Sequence, residues 1–255
     1  MVEIKTPGEI QAMRAAGRVV AQALAATRAQ AAVGVTLKEL DEVAREVLRE
    51  HNATSPFLGY KPVFAPVAFP AVICASLNDE ALHGIPDTRR LADGDLLSID
   101  FGATLDGWTG DAAISLTVGE AHPADIRLIE TAQEALKAGI AQAVPGKKIG
   151  DISHAIGVIG RRGRYGINTD FGGHGVGHTM HEDPSVPNEG RAGRGLRLRP
   201  GVVIAIEPWF MAGGRDGYVI DDDGWTIRSA DGSRAVHVEH TVAVTPDGPL
   251  ILTAP

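Results

Sequence analysis

Apolar residues recur at helical spacing through the first fifty positions. Ile10, Met13, Gly17, Val20 and Leu24 step by three and four, and Leu40, Val43, Val47 and Leu48 make a second amphipathic pattern, which predicts two helices with one buried side each. Both carry start signals. Thr6-Pro7-Gly8-Glu9 offers a hydroxyl cap, a proline at the first helical position and a glutamate able to reach back to the cap amide, and Thr36-Leu37-Lys38-Glu39 repeats the capping pattern. The second helix is expected to end near Asn52. His51 to Pro70, punctuated by proline, glycine and aromatics, predicts an ordered loop. Leu96-Leu97-Ser98-Ile99 and Ile114-Ser115-Leu116-Thr117-Val118 read as strands.

The pattern then starts again. Pro123-Ala124-Asp125-Ile126 opens a helix with Ile126, Ile129, Leu136 and Ile140 on one face, and Gly146, Ile149 and Ile152 repeat the spacing of Gly34, Leu37 and Leu40. Leu91 through Asp100 matches Leu198 through Glu207 in its leucine, its glycine and its final carboxylate, and Asp111 with its following strand resembles Glu239 with Val242-Ala243-Val244-Thr245. The repeat predicts an α+β fold. Two helix-helix-strand halves, about 1–120 and 121–255, are related by an approximate twofold and join their strands in one sheet.

This symmetry gathers chemistry. An acid closing an apolar strand is expensive to bury without a cation or donors. One such acid reads as a cap or turn carboxylate; four at symmetry-matched positions, Asp100, Asp111, Glu207 and Glu239, converge on one place and call for multiply charged cations. Two divalent ions balance four carboxylates. His174, set among glycines in Phe171-Gly172-Gly173-His174-Gly175-Val176-Gly177-His178, has little packing to explain it and reads as a ligand. His178 and His181 have the spacing of a metal pair, but nearby glycine and proline argue against the helix such a pair needs. His51, His122, His154, His237 and His240 read as surface or structural residues, the last two able to orient Glu239.

Composition narrows the function classes. With 255 residues, 44% of them apolar, the chain can bury a sizeable core. A formal net charge of -8 argues against a nucleic-acid or anionic-membrane partner; the densest basic cluster, Arg161, Arg162 and Arg164, reads as a solvated turn. The single cysteine, Cys74, excludes an internal disulfide and suits a reducing compartment. Met1-Val2-Glu3-Ile4-Lys5 lacks the apolar run of a signal peptide, and no stretch approaches the roughly 18 apolar residues of a membrane span, so a cytoplasmic location is expected.

Asp100, Asp111, His174, Glu207 and Glu239, in that order and at those intervals, resemble the metal ligands of type I methionine aminopeptidases. The resemblance runs from Lys5-Thr6-Pro7 to Glu239-His240-Thr241 and includes Leu77-Asn78, His83-Gly84-Ile85-Pro86, Gly173 through His178, Ile206-Glu207-Pro208 and Asp223-Gly224-Trp225-Thr226. It implies a single pita-bread catalytic domain over 1–255, with a curved, mainly antiparallel sheet. It implies that Asp111 and Glu239 bridge two ions, that Asp100 chelates one, and that His174 and Glu207 complete the other. Cobalt, manganese, iron or zinc suits these donors better than copper. Activated water would be the nucleophile, Glu207 the proton-handling group, and His83 and His181 the residues stabilising the tetrahedral intermediate and contacting the peptide. Cys74, Phe69, Tyr60 and Trp225 would line the methionine pocket. Substrates would be peptides and nascent chains with an N-terminal methionine and a small second residue, met by a monomer near the ribosome. A proline-directed peptidase of the same fold, or a binding protein without catalysis, is the alternative.

Several positions depart from the pattern. The loop Lys61 to Ala68 is long, Gly102 stands where threonine is common, Thr109 replaces a histidine, Met180 replaces an aromatic, and Pro187-Asn188-Glu189-Gly190 lacks a tyrosine. All five ligand positions are intact.

Overall fold

Both helix starts form as written. In α1 (Pro7–Gln30) Glu9 N donates to Thr6 Oγ1 at 3.4 Å and Thr6 N to Glu9 Oε2 at 2.7 Å; in α2 (Leu37–Glu50) the matching Thr36 and Glu39 bonds are 3.2 and 2.6 Å. The structure is a computed structural model describing residues 2–63 and 65–255; Met1 of the N-terminal string and Phe64 of the 61–68 loop lie outside the described residues. All five positions that define the periodicity of α1 are buried.

The first half continues with β1 (Ile73–Leu77), β2 (Glu80–Leu82), β3 (Leu96–Leu105) and β4 (Trp108–Thr117). Two strands therefore run further than the apolar runs suggest. Asp100 and Asp111 stand inside ten-residue strands, because the hairpin turns only at Asp106 and Gly107, whose φ angles are +50 and +80. Their paired backbones continue through Thr104 and Thr109, whose hydroxyls share a hydrogen bond of 2.9 Å.

In the second half α3 (Pro123–Ala141) begins after His122, whose ring accepts the Ala124 amide. The expected buried face is rotated: Ile126 is 41% exposed, and Leu128, Ala132, Ala135, Leu136, Gly139 and Ile140 point inward. Small residues make this face. A Cβ on Gly139 would stand 3.0 Å from Ile156 of α4 (Ile149–Arg162), so close helix approach, rather than large side chains, sets the orientation. Short strands follow: β5 (Gly173–Gly175), β6 (Glu182–Val186), β7 (Val203–Ile206), β8 (Trp209–Met211), β9 (Tyr218–Ile220), β10 (Ile227–Ser229), β11 (Ala235–His237), β12 (His240–Thr245) and β13 (Gly248–Ile251).

The internal repeat is visible in backbone bonds. Gly34 N donates to Leu91 O and Gly146 N to Leu198 O, at 2.8 and 2.9 Å, and both glycines adopt φ +92. Gly94 N to Val118 O and Gly201 N to Val244 O repeat at 2.8 and 2.9 Å. Each half has its own apolar core, one between α1, α2 and the β1-β3-β4 sheet, the other between α3, α4 and the β7 and β12 strands. The sheets meet where Ala113 and Glu239 exchange backbone bonds of 3.4 and 3.0 Å, and every strand pairing is antiparallel. The result is the pita-bread α+β arrangement.

Two glycines of α1 differ sharply in their surroundings. A Cβ on Gly17 would lie 2.2 Å from the Leu252 carbonyl oxygen, whereas one on Gly8 meets nothing within 4 Å. Gly17→Ala should therefore destabilise the fold by about 1–3 kcal/mol, the range for overpacking, while Gly8→Ala should stabilise it by up to about 1 kcal/mol. Urea unfolding of the two variants checks both signs.

Candidate active site

Strand alternation alone brings the five acid and histidine positions to one face. In β3 and β4, Gly102 is paired with Asp111 and Asp100 with Ala113, so Asp100 and Asp111 are diagonal neighbours on the same side. Ala113 is bonded to Glu239, and the register of β12 on β7 extends to set Glu239 opposite Glu207. Gly175 pairs with Ile204, which places His174 beside Ala205, on the side that Glu207 also faces. One stripe thus crosses five neighbouring strands.

Its spacing is that of shared ligands rather than hydrogen-bonded partners. His174 Nε2 lies 3.7 Å from Asp111 Oδ2 and 3.5 Å from Glu207 Oε1. Asp111, His174 and Glu239 bring ligand atoms within 4.8 Å of one another, as do Asp100, His237 and Glu239. Asp100 Oδ1, Asp111 Oδ1 and Glu239 Oε1 are buried with no hydrogen-bond partner. Hard carboxylate oxygens left unpaired beside imidazole nitrogens are the donor chemistry of a divalent cation, so these residues fit a metal.

The electrostatics agree. Burial, with the charge of Glu207 opposing that of His237, pushes Asp100 up to about 6. Asp111 and Glu239 are driven well above the carboxylate range by burial and by the neighbouring carboxylates. Glu207 goes the other way: burial raises it, but His237, His174 and His181 together hold it below its usual value. It is the acid that stays ionised.

All eleven residues singled out in the sequence line one cavity of about 510 Å³. Burial lowers His83 to about 4 and, with the charge of His174, lowers His181 to about 3, so both rings are neutral at pH 7. His83 sits at φ +57, and its buried Nδ1 has no partner. His178 turns away: its Nδ1 bonds the Gly107 carbonyl oxygen at 2.8 Å and its ring lies against Trp108.

The other side of the cavity is apolar. Phe69, Cys74 and Trp225 cluster with Phe57 and Met180, with Tyr60 against them. Tyr60 stacks on His181 at 5.3 Å and Phe69 meets Trp225 edge-on at 5.1 Å. Cys74 pairs with Asp100 across β1 and β3, and burial and that carboxylate raise its thiol pKa well above the ordinary value, leaving a small neutral wall. The long 61–68 loop reaches this wall, since Trp225 Nε1 donates to Val67 O at 3.0 Å. Two departures also prove to be neighbours: a Cβ on Gly102 would lie 3.1 Å from Met180 Cε and 2.8 Å from Pro56.

Two residues at the site escaped the sequence reading, and a third was read without its place among the carboxylates. Phe57 belongs to the apolar wall, and Asn188, fully buried, donates Nδ2 to the Glu207 carbonyl oxygen at 3.1 Å. His237, read as a surface or structural residue able to orient Glu239, is buried at 3% exposure among the carboxylates. Its position two residues before Glu239, on the same side of an extended chain, was the available signal.

Residues 11–246 match the model of metallopeptidase family M24. The chain is 52% identical over 260 residues to methionine aminopeptidase 1 of Mycobacterium tuberculosis, covering 99% of this chain and 95% of that protein. The crystal structure of a methionine aminopeptidase from Thermotoga maritima superposes with a TM-score of 0.95 at 37% identity over 100% of both chains. A prolidase from Pyrococcus horikoshii shares the fold alone, with a TM-score of 0.76 at 22% identity over 98% of this chain and 63% of that one.

Without metal, the folded protein keeps protons on Asp111 and Glu239 that the unfolded chain, titrating near about 4, has already released. A raised folded pKa makes stability fall as pH rises. Above about pH 7.5, where the unfolded chain's histidines, titrating near about 6.5, have released their protons and no longer offset the trend, chelator-treated protein should lose stability as pH rises, by at most about 1.4 kcal/mol per pH unit for each proton still retained. Thermal unfolding across that window should show the decline, and Asp111→Asn should flatten it.

Proposed function

The chain belongs to metallopeptidase family M24, and on that premise we propose that its cavity removes an N-terminal methionine from peptides and nascent proteins with two divalent cations held by Asp100, Asp111, His174, Glu207 and Glu239. The observation that carries this is the stripe of four carboxylates, three of them (Asp100, Asp111 and Glu239) with unpaired buried oxygens, beside an apolar annex. Asp111 and Glu239, at its centre, would serve both ions, with Asp100 helping to hold one and His174 and Glu207 the other. Cobalt, manganese, iron or zinc suits these donors. Such ions supply a Lewis acid for the scissile carbonyl and acidify a bound water.

The chain's own groups do the rest. Glu207, held ionised by three histidines, accepts a proton and passes it to the leaving amine. His83 and His181, kept neutral, donate hydrogen bonds to the oxygen that becomes negative in the tetrahedral intermediate, and gain strength only as that charge develops. Tyr60, Phe69, Cys74 and Trp225 enclose the methionine side chain, discriminating by about 1–3 kcal/mol per methylene. A small second residue is the expected preference, as in the family the sequence resembles. The reading treats 1–255 as one catalytic domain, with halves of about 1–120 and 121–255. It makes the enzyme a cytoplasmic monomer meeting chains near the ribosome. No helix of the described residues is long and apolar enough to cross a membrane.

Metal-stripped protein titrated with manganese or cobalt should release methionine from Met-Ala-Ser and leave Ala-Pro-Ala intact; cleavage of the proline peptide instead would move the assignment to a proline-directed peptidase. Asp111→Ala should abolish loading of at least one ion and all turnover. Tight metal binding without turnover in the unmutated chain would make it a binding protein. His181→Ala should lower kcat by about 10²–10³, the loss typical of one oxyanion donor, with metal content unchanged by elemental analysis. Loss of metal in that variant would reassign His181 as a ligand.

A further inference from the structure

We propose that His237 is a sixth protein ligand, its Nε2 completing the Asp100 and Glu239 half of the centre so that each ion takes one imidazole nitrogen. The assignment rests on the two-cation reading above. Its first support is distance. His237 Nε2 stands 3.6 Å from Glu207 Oε2 and 3.7 Å from Glu239 Oε2, matching the 3.5 and 3.7 Å that separate His174 Nε2 from its two carboxylates. These gaps exceed a hydrogen bond of about 2.7–3.2 Å. They approach the spacing of two atoms bound to one ion, about 3.0–3.6 Å for bonds of about 2.1 Å at angles of about 90–120°.

The second support is what the nitrogen lacks. His237 Nε2 is buried and makes no hydrogen bond, although carboxylates surround it. A buried ring nitrogen held there without a partner is costly unless something else engages it. The third is the composition of the two donor groups: one holds Asp111 and His174, the other Asp100 and His237, and both share Glu239. Each contains one aspartate and one histidine.

The backbone of His237 is fixed by the strands that carry the aspartates. Its amide lies 3.2 Å from Ser98 Oγ and 3.1 Å from Ser115 Oγ, and its carbonyl accepts from Ser115 Oγ at 2.8 Å. Ser98 and Ser115 bond each other at 2.8 Å across β3 and β4. Asp100 and His237 are therefore mounted on one buried clamp. An imidazole in this half favours zinc, cobalt or iron over manganese there, since manganese is served by oxygen donors.

Full-length, metal-stripped protein loaded with Co²⁺ tests the assignment through hyperfine-shifted imidazole N–H protons, which report coordinated histidines, alongside calorimetric counting of ions. The expected result is two ions with two shifted imidazole protons in the unmutated protein. In His237→Gln one signal is lost and one of the two binding steps weakens by about a hundredfold or more, beyond the 10–100-fold typical of residues that only support a ligand. Two ions with a single shifted proton in the unmutated protein overturn the proposal while leaving the dinuclear centre standing, and that count is decisive even if the variant does not fold. Fewer than two ions in the unmutated protein would sink the dinuclear reading and this assignment together.

Discussion

Mutual repulsion among buried carboxylates is the constraint around which this molecule is arranged. Asp100, Asp111, Glu207 and Glu239 occupy one face of a sheet whose other face lies against four helices, so water cannot screen them from behind. Such crowding is tolerable only with compensation by protons or cations. The orphaned oxygens and the raised acid pKa values are two expressions of the same imbalance. Glu207 escapes it because three histidines surround it, and that exception gives the site an acid that stays ionised beside two that do not.

The rest of the fold supplies rigidity for this arrangement. The two halves use the same backbone devices, a left-handed glycine before the second helix and another before the central strand, which deliver acids to matching places on either side of the axis. Long strands hold the first two acids, and short ones joined by tight turns hold the others. The apolar wall is built differently, from loop residues around 57–69 and from the turn at Asp223, whose carboxylate accepts the Trp225 and Thr226 amides at 2.7 and 2.8 Å. Chemistry sits on the sheet and selectivity on loops, so changes such as the long 61–68 segment can reshape the wall without moving a ligand.

Much of this was legible in the chain. Capping signals located α1 and α2, because a threonine three residues before a glutamate satisfies amides that nothing else can reach. The internal repeat exposed the acids, since matching strings ended in matching carboxylates. The strand limits were not legible: Gly102 and Ala103 carry no strand signal, and pairing with β4 extends β3 past Asp100. The face of α3 was misread at Ile126 because alanines and a glycine, weak in any hydrophobic pattern, make its contacts. His237 was passed over for a related reason. Apart from Glu239, its neighbours at the site are remote in sequence, and the clamp of Ser98 and Ser115 fixes where it faces.

The pairing of Ala113 with Glu239 also bears on how the protein comes into being. Asp100 and Asp111 are synthesised with the first half, whose helices and hairpin have a core of their own, but the acid that joins both donor groups comes more than a hundred residues later. A growing chain therefore passes through a long interval in which it carries two inward-facing aspartates and no complete cage to bind an ion. The cage closes only when the segment bearing Glu239 pairs with Ala113 of β4. A chain interrupted before that point lacks the one carboxylate common to both donor groups, so neither group is complete in it.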